Sequence, residues 1–416
     1  MERNRLITLG FFFLWLFTSL FWLQTDQLLR DGDEEGHVGA AELMKQLLSE
    51  EGFLSFLQYA VAGNLGEYPP LYASFIGLWW AIVGGLPEDL VIRGIGLSFV
   101  LVTALCSAWL AKMLRCPPET TFVLVLFCPL LNGIGRHFMI EGLLCALTAL
   151  LAATLYSNRH RPTVWKSIVT GIVLAAGLLT KQSFILTALP ILILINGVRS
   201  AMFTSIVTLL LCLPWYWNQW SSQTSYVMDS IQANTVSALH IQFLAPISFL
   251  LWDISGPVIS LLLLYAFATS RRRRIEAHKW MLLWLGVSLL LFWILPKKYP
   301  RLLLGLTPAI CIYITAGLKH LKPHLRHALM IPVIGWFLLA SYFETMPNPI
   351  YAMLDNRCQQ VWMRPPFPED FGLKLIAREA RKIPNTPIVF QKPSPIPCSI
   401  QTTHPWEYHL EIYLRR

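Results

Sequence analysis

Twelve long apolar runs, separated by polar stretches, constrain the fold of this 416-residue chain more than any other feature. Most are close to the length of about 20 residues that a helix needs to cross a bilayer. Only 14% of the residues are charged, against about 25% in soluble domains, and the mean hydropathy is +0.52. The sequence therefore predicts an all-α polytopic membrane protein. The runs lie at 6–23, 70–86, 91–111, 120–135, 139–156, 167–181, 184–198, 201–217, 243–268, 279–296, 302–318 and 327–342.

Basic residues between the runs predict how the chain is oriented. Lys and Arg concentrate in cytoplasmic loops, and all the basic clusters fall on one side if the run at 70–86 does not cross the membrane. That run is short and starts at Pro70, so we expect it to lie in or dip into the outer leaflet. About eleven spanning helices then remain. The clusters are Lys112 with Arg115, Asn158–Arg161 with Lys166, Arg199, Arg271–Arg274 and Lys319–Arg326.

The N-terminus is expected in the cytoplasm, because Arg3 and Arg5 precede the first run. That run lacks a small-residue cleavage site, which predicts a retained helix rather than a signal peptide. The net charge of +9 arises mostly from loop residues, so it predicts no nucleic-acid partner. We expect a transmembrane domain over 1–345, with a first extracytoplasmic loop at about 25–90 carrying membrane-surface helices, and a small extracytoplasmic segment over 346–416.

The acidic stretch Asp31–His37 follows the first apolar run almost directly. A carboxylate at a membrane surface is costly unless it faces water or has a function. Asp33 and Glu34 are therefore candidates for a general base that removes a proton from an attacking hydroxyl or amine. The alternative is a solvated turn that caps the next helix, and both interpretations remain open.

Further charged residues are predicted on the extracytoplasmic face. Glu141 begins an apolar run and needs a partner, which a substrate or Arg136 would supply. Cations on this face oppose the usual charge distribution and indicate an anionic partner such as a lipid phosphate, although each one alone is explained by snorkelling. These cations are Lys181, Lys297, Lys298 and Arg301.

Three weaker features remain. Glu67 precedes Tyr68 and a Pro-Pro pair that would start a helix, and the helix start leaves the carboxylate unexplained. His240 is a lone histidine in a predicted outer loop and is more often exposed than a ligand. Cys358 and Cys398 lie in the predicted extracytoplasmic tail, where a disulfide between them is expected.

Taken together, the motifs resemble those of polytopic glycosyltransferases with the C-type fold. The similar groups are the dolichyl-phosphate-mannose protein mannosyltransferases and the lipid A aminoarabinose transferases. Two departures are Glu141, where Asp is usual, and the exchanged order of Tyr and Arg near Arg301. The motifs are Asp33–Glu34 with Ala40–Met44, Glu67–Tyr72, Arg136–Glu141 with Leu143–Tyr156, Gly177–Lys181, Pro214–Tyr216, and Lys297–Leu304 with Pro308.

The resemblance implies an inverting transfer of a hexosyl or pentosyl group from a polyprenyl-phosphate donor to an extracytoplasmic lipid, glycan or protein. The implied catalytic residues are Asp33, Glu34 and Glu141. The implied substrate-binding residues are Glu67, Tyr68, Arg136, Lys181, Lys297, Lys298 and Arg301. The aminoarabinose branch further implies a divalent metal at Glu67 and His240, although the family as a whole needs no metal cofactor.

Two other functions share these features. A flippase for lipid-linked saccharides predicts broken helices, an internal repeat and acids near the bilayer midplane. An O-antigen-type ligase would use a large loop with Arg and His instead of an early acidic loop. The short tail without a retention signal favours a bacterial inner membrane, with membrane lipids around the protein and its site on the extracytoplasmic face.

Overall fold

A computed structural model describes residues 2–26, 32–62, 68–84, 88–193, 197–222, 224–225, 228, 239–270, 276–295, 299–343 and 363–366. Only the backbone is described at 2, 3, 32, 33, 35, 62, 88–90 and 239–243. The regular elements in these ranges are helices, which confirms the predicted all-α class.

We number the described α-helices α1 to α16. They are α1 (Glu2–Thr25), α2 (Gly32–Gln46), α3 (Phe53–Ala62), α4 (Leu71–Ile82), α5 (Glu88–Met113), α6 (Pro118–Leu126), α7 (Pro129–Arg136), α8 (Ile140–His160), α9 (Val164–Leu178), α10 (Ile185–Leu192), α11 (Val198–Asn218), α12 (Leu239–Ser248), α13 (Gly256–Ser270), α14 (Glu276–Ile294), α15 (Thr307–Leu318) and α16 (Pro323–Tyr342). Shorter helical segments are the π-helices Leu47–Glu51 and Phe249–Ile254 and the 3-10 helices Gln182–Phe184 and Pro300–Leu306.

Seven described helices are long and apolar enough to cross a bilayer. Two bent pairs raise the number to nine if each is one span: α6 with α7, bent by 54°, and Leu244–Ile254 with α13, bent by 112°. The predicted runs 167–181 and 184–198 form α9 and α10, which are shorter than the roughly 30 Å hydrocarbon core. The eleven predicted spans are therefore not confirmed, because bends and breaks interrupt runs that are continuous in the sequence.

The helices of the first loop lie beside the bundle. Helix α4 has 12 residues, or about 18 Å, which is too short to cross a bilayer. It packs closely on α2, where a Cβ at Gly77 would lie 2.8 Å from the carbonyl oxygen of Ala41. Helix α3 exposes an apolar stripe, as expected of a helix on a membrane surface. The stripe consists of Phe53, Leu54, Leu57 and Val61.

Helix α8 connects two polar ends of the bundle. Glu141 lies in its first turn and Arg159 in its last, so about 27 Å of helix separates them. At the second end, the Arg159 guanidinium lies 4.4 Å from the ring centroid of Trp280 on α14, and Lys166 Nζ donates to the carbonyl of Arg161 at 3.1 Å. These contacts place the basic residues around the connection between α8 and α9 at the end opposite Glu141. We call the end that contains Glu141 the site end.

A close approach of two glycines fixes α7 against α5. A Cβ at Gly96 would overlap the carbonyl oxygen of Gly135, which directly precedes Arg136. Backbone cannot move aside as a flexible side chain does. We expect Gly96→Ala to lower the free energy of unfolding by about 1–3 kcal/mol, measured as a lower thermal midpoint in detergent. Gly94→Ala on the same helix is the control, because no heavy atom lies within 4 Å of its Cβ position. Equal midpoints for the two variants would contradict the packing.

Candidate active site

Glu141 is the centre of a buried ion cluster at the site end. Its carboxylate is 2% exposed, and its Oε1 accepts a hydrogen bond of 2.7 Å from Lys181 Nζ. The Nε of Arg301 lies 3.6 Å from the same oxygen. Lys181 lies where α9 breaks into a 3-10 helix, and Arg301 is the second residue of the 3-10 helix that follows Tyr299. Two breaks in apolar helices thus bring two cations to one carboxylate.

The cluster places two cations against one carboxylate, and the three side chains are at most 10% exposed. Glu141 Oε2 has no hydrogen-bond partner among the described residues. Lys and Arg are the side chains that bind phosphate oxygens in proteins, Lys as a point charge and Arg as a fork of donors. Lys181 and Arg301 can therefore offer donors to an anionic group.

The first loop reaches the same cluster. Lys181 Nζ lies 4.9 Å from the ring centroid of Tyr68, which directly precedes the Pro-Pro pair. The centroids of the Tyr68 and His37 rings are 5.1 Å apart, and the Tyr72 ring lies 5.3 Å from the His37 ring. The substrate-binding residue predicted at Tyr68 thus lies against a predicted cation 113 positions later in the chain.

Glu34 attaches α2 to the connection between α7 and α8. It is 1% exposed, its Oε1 lies 3.1 Å from His137 Nδ1, and it accepts a hydrogen bond of 2.7 Å from the backbone N–H of Phe138. Burial raises the pKa of the Glu34 carboxyl, but His137, the nearby Arg93 and the Phe138 N–H together hold that pKa well below its usual range. Glu34 is thus ionised, and it fixes the first turn of α2, which we call the acidic turn, to the connection between α7 and α8.

Asp33 lies one position before this anchor. Its backbone belongs to the first turn of α2, and its side chain lies outside the described residues. Phe138, which binds Glu34, is three residues before Glu141. The acidic turn and the ion cluster are therefore attached to the same short segment of chain.

Arg136 does not pair with Glu141, which was the alternative considered from the sequence. The guanidinium lies 5.3 Å from the ring of Trp22 and 5.0 Å from the ring of Phe337. Its Nε and Nη2 have no hydrogen-bond partner among the described residues. The last turn of α7 directs Arg136 towards α1 and α16, while α8 directs Glu141 towards Lys181.

Several predicted residues cannot be placed in the site. Glu67, Lys297, Lys298, Cys358 and Cys398 lie outside the described residues, and His240 is described by its backbone only. Among the described side chains, no group of three or more potential metal ligands occurs. The predicted metal pair and disulfide thus remain predictions.

Four titratable residues of the site end were not predicted from the sequence. They are His137, Asp26, Arg93 and Arg364. The positions of two of them in the sequence could have identified them as site residues. Asp26 follows α1 directly, and Arg93 lies near the start of α5. A charge at the end of an apolar helix needs a named partner, and each of these residues has one.

Solved structures share this arrangement of helices, whereas no family model and no curated protein matches the sequence. The lipid A aminoarabinose transferase ArnT from Cupriavidus metallidurans, in the apo state, has a TM-score of 0.56 at 16% identity, covering 90% of this chain and 72% of that chain. The same transferase bound to undecaprenyl phosphate has a TM-score of 0.58 at 14% identity, with the same coverage. The Archaeoglobus fulgidus oligosaccharyltransferase in complex with Zn and sulfate has a TM-score of 0.53 at 13% identity, covering 96% of this chain and 56% of that chain.

The chain therefore has the C-type fold of polytopic membrane glycosyltransferases. This confirms the resemblance drawn from the motifs at the level of fold, and it confirms a multi-pass integral membrane protein. At 13–16% identity the likeness carries no residue roles. Those are argued from the geometry of this chain.

Proposed function

We propose that the chain is an integral-membrane glycosyltransferase that moves one hexosyl or pentosyl group from a polyprenyl-phosphate donor to an extracytoplasmic lipid, glycan or protein. The observation that supports this most is the position of Glu34, Phe138 and Glu141. One short segment joins the acidic turn to a buried cluster in which two cations face one carboxylate. An inverting transfer needs both features, a base for the acceptor and cations for the leaving phosphate.

The cations act on the leaving group. As the bond between the anomeric carbon and the phosphate oxygen breaks, its electron pair stays on the polyprenyl phosphate. Lys181 and Arg301 would stabilise this charge, Lys as a point charge and Arg as a fork of donors. Lys297 and Lys298 would add to them, since they precede Arg301 closely in the chain.

The carboxylate acts on the acceptor. Asp33 would take the proton of the acceptor hydroxyl or amine as its oxygen or nitrogen bonds to the anomeric carbon. A single displacement from the face opposite the phosphate inverts the configuration. Glu34 would hold the turn that carries Asp33, and Glu141 would orient the two cations. A divalent metal at Glu67 and His240 remains a proposal, and no step depends on it.

A flippase is the second candidate, because the two bent helix pairs are a feature that it predicts. The position of the charges favours the transferase. Glu141 and Arg301 lie at the starts of their segments, and Lys181 lies three residues after the end of α9. A flippase would need ionisable groups near the bilayer midplane.

Mass spectrometry of surface glycolipids and glycans tests the proposal. Cells that carry the active protein should contain an acceptor heavier by one sugar, which disappears when the gene is deleted. Liposomes with the purified protein should release polyprenyl phosphate only while sugar is transferred. A donor that changes leaflet without losing its sugar would instead support the flippase, and the bacterial inner membrane is the first place to look.

A further inference from the structure

Asp26 is held by two arginines from distant parts of the chain. Arg93 Nη1 donates to Oδ2 at 3.0 Å. Arg364 binds the carboxylate with both terminal nitrogens, Nη1 to Oδ1 at 2.8 Å and Nη2 to Oδ2 at 3.1 Å. All three side chains are at most 6% exposed. A bidentate arginine–carboxylate pair in this setting is geometrically specific and stronger than a surface ion pair.

Arg364 belongs to the C-terminal tail and makes two further contacts with α1. Its carbonyl oxygen accepts a hydrogen bond of 3.0 Å from Trp22 Nε1, and its guanidinium lies 5.2 Å from the Trp22 ring. The backbone of Arg364 thus binds Trp22, and its side chain contacts both Trp22 and Asp26. The tail at this point is built into the site end.

These contacts connect to Glu34, the neighbour of Asp33. Asp26 and Glu34 are both buried. Glu34 contacts His137 and Phe138, and Asp26 contacts its two arginines. The Trp22 ring lies 5.8 Å from the His137 ring, so the contacts of Arg364 reach Glu34 through Trp22 and His137.

We infer that Arg364 is a positioning residue for sugar transfer: by binding Asp26 and Trp22 it supports the contacts from Trp22 through His137 to Glu34, which lies next to Asp33. This inference rests on the proposed function. The C-terminal tail then completes the site without touching the reacting atoms. Loss of Arg364 removes two of the hydrogen bonds that the buried Asp26 carboxylate accepts.

Kinetics of Arg364→Gln in the full-length protein test the inference. We expect the turnover number per folded molecule to fall about 100-fold, since a small displacement of a catalytic group has an effect of this size. KM for the polyprenyl-phosphate donor should stay unchanged, because the donor phosphate lies at Lys181 and Arg301. Arg364→Lys keeps the charge but loses the two-pronged contact and should recover part of the turnover.

A matched control separates position from folding. Arg159→Ala removes a guanidinium that lies against Trp280 at the opposite end, and its turnover should equal that of the wild type. If Arg364→Gln does not accumulate as a monodisperse protein, Asp26→Asn removes the charge with little change of shape. Wild-type turnover in the folded variants, or failure of both site-end variants to fold, would overturn the inference in favour of a purely structural contact.

Hydrogen exchange gives a readout that does not need activity. Peptides covering 32–46 should exchange faster in Arg364→Gln than in the wild type, and at the wild-type rate in Arg159→Ala. Unchanged exchange over 32–46 in Arg364→Gln would contradict the anchoring. If the wild type transfers no sugar while this exchange difference appears, the proposed function fails and the anchoring by Arg364 stands.

Discussion

Replacing Asp33 with Asn is expected to slow sugar transfer by about 10²–10⁴-fold, the usual contribution of a general base. Asn has nearly the shape of Asp but does not accept the acceptor's proton. The donor should still bind, because its phosphate is assigned to Lys181 and Arg301 on other elements. Initial rates of transfer measure the first effect. Thermal stabilisation by undecaprenyl phosphate, used as the probe for the donor site, measures the second.

The control for Asp33→Asn is Glu42→Gln, which removes a carboxylate from the same helix about two and a half turns further on. Its rate should remain close to that of the wild type. A wild-type rate in Asp33→Asn would remove Asp33 from the role of base. Loss of both rate and undecaprenyl-phosphate binding would indicate instead that the acidic turn holds the donor.

Replacing Glu141 with Gln should have the largest effect on stability. The change removes the carboxylate that faces both Lys181 and Arg301 in a buried site, and breaking a buried ion pair on one side costs about 3–5 kcal/mol. We expect a much lower thermal midpoint in detergent and little folded protein at 37 °C. An unchanged midpoint would show that the two cations find other partners.

A double substitution separates the ion pair from the packing. Glu141→Leu with Lys181→Met replaces the pair by apolar side chains, which is often close to neutral for stability. The double variant should therefore be more stable than either single variant, and a double-mutant cycle gives the coupling free energy. Its affinity for undecaprenyl phosphate should nevertheless fall, because a proposed phosphate ligand is gone. Recovered affinity would contradict the role of Lys181.

The sequence predicts which segments are helical better than it predicts where the helices bend and how they pack. Hydropathy identifies the apolar runs, and the short segment after Pro70 forms α4, too short to cross, as expected. The bends at 54° and 112° are not visible in hydropathy, because a bent apolar run has the same composition as a straight one. The number of spans was therefore predicted less well than the class of fold.

The residues of the site show the same limit. A buried charge predicts that a partner exists, and Glu141 was selected for this reason. The identity of the partner depends on the packing of α8 against two helix breaks, so Lys181 and Arg301 could not be assigned to Glu141 from spacing. Likewise, Arg364 lies beyond the domain boundary expected at 345, and only the fold brings it to Asp26.

Glu141 has one methylene group more than the Asp that is usual at this motif position in the families that the chain resembles. The longer side chain reaches Lys181 at 2.7 Å and approaches Arg301 at 3.6 Å. If Glu141 were replaced by the shorter Asp during evolution, the carboxylate would lie farther from the cations on two other segments. Substitutions at these three positions should therefore co-vary among orthologues, and such covariation would be an independent record of the cluster.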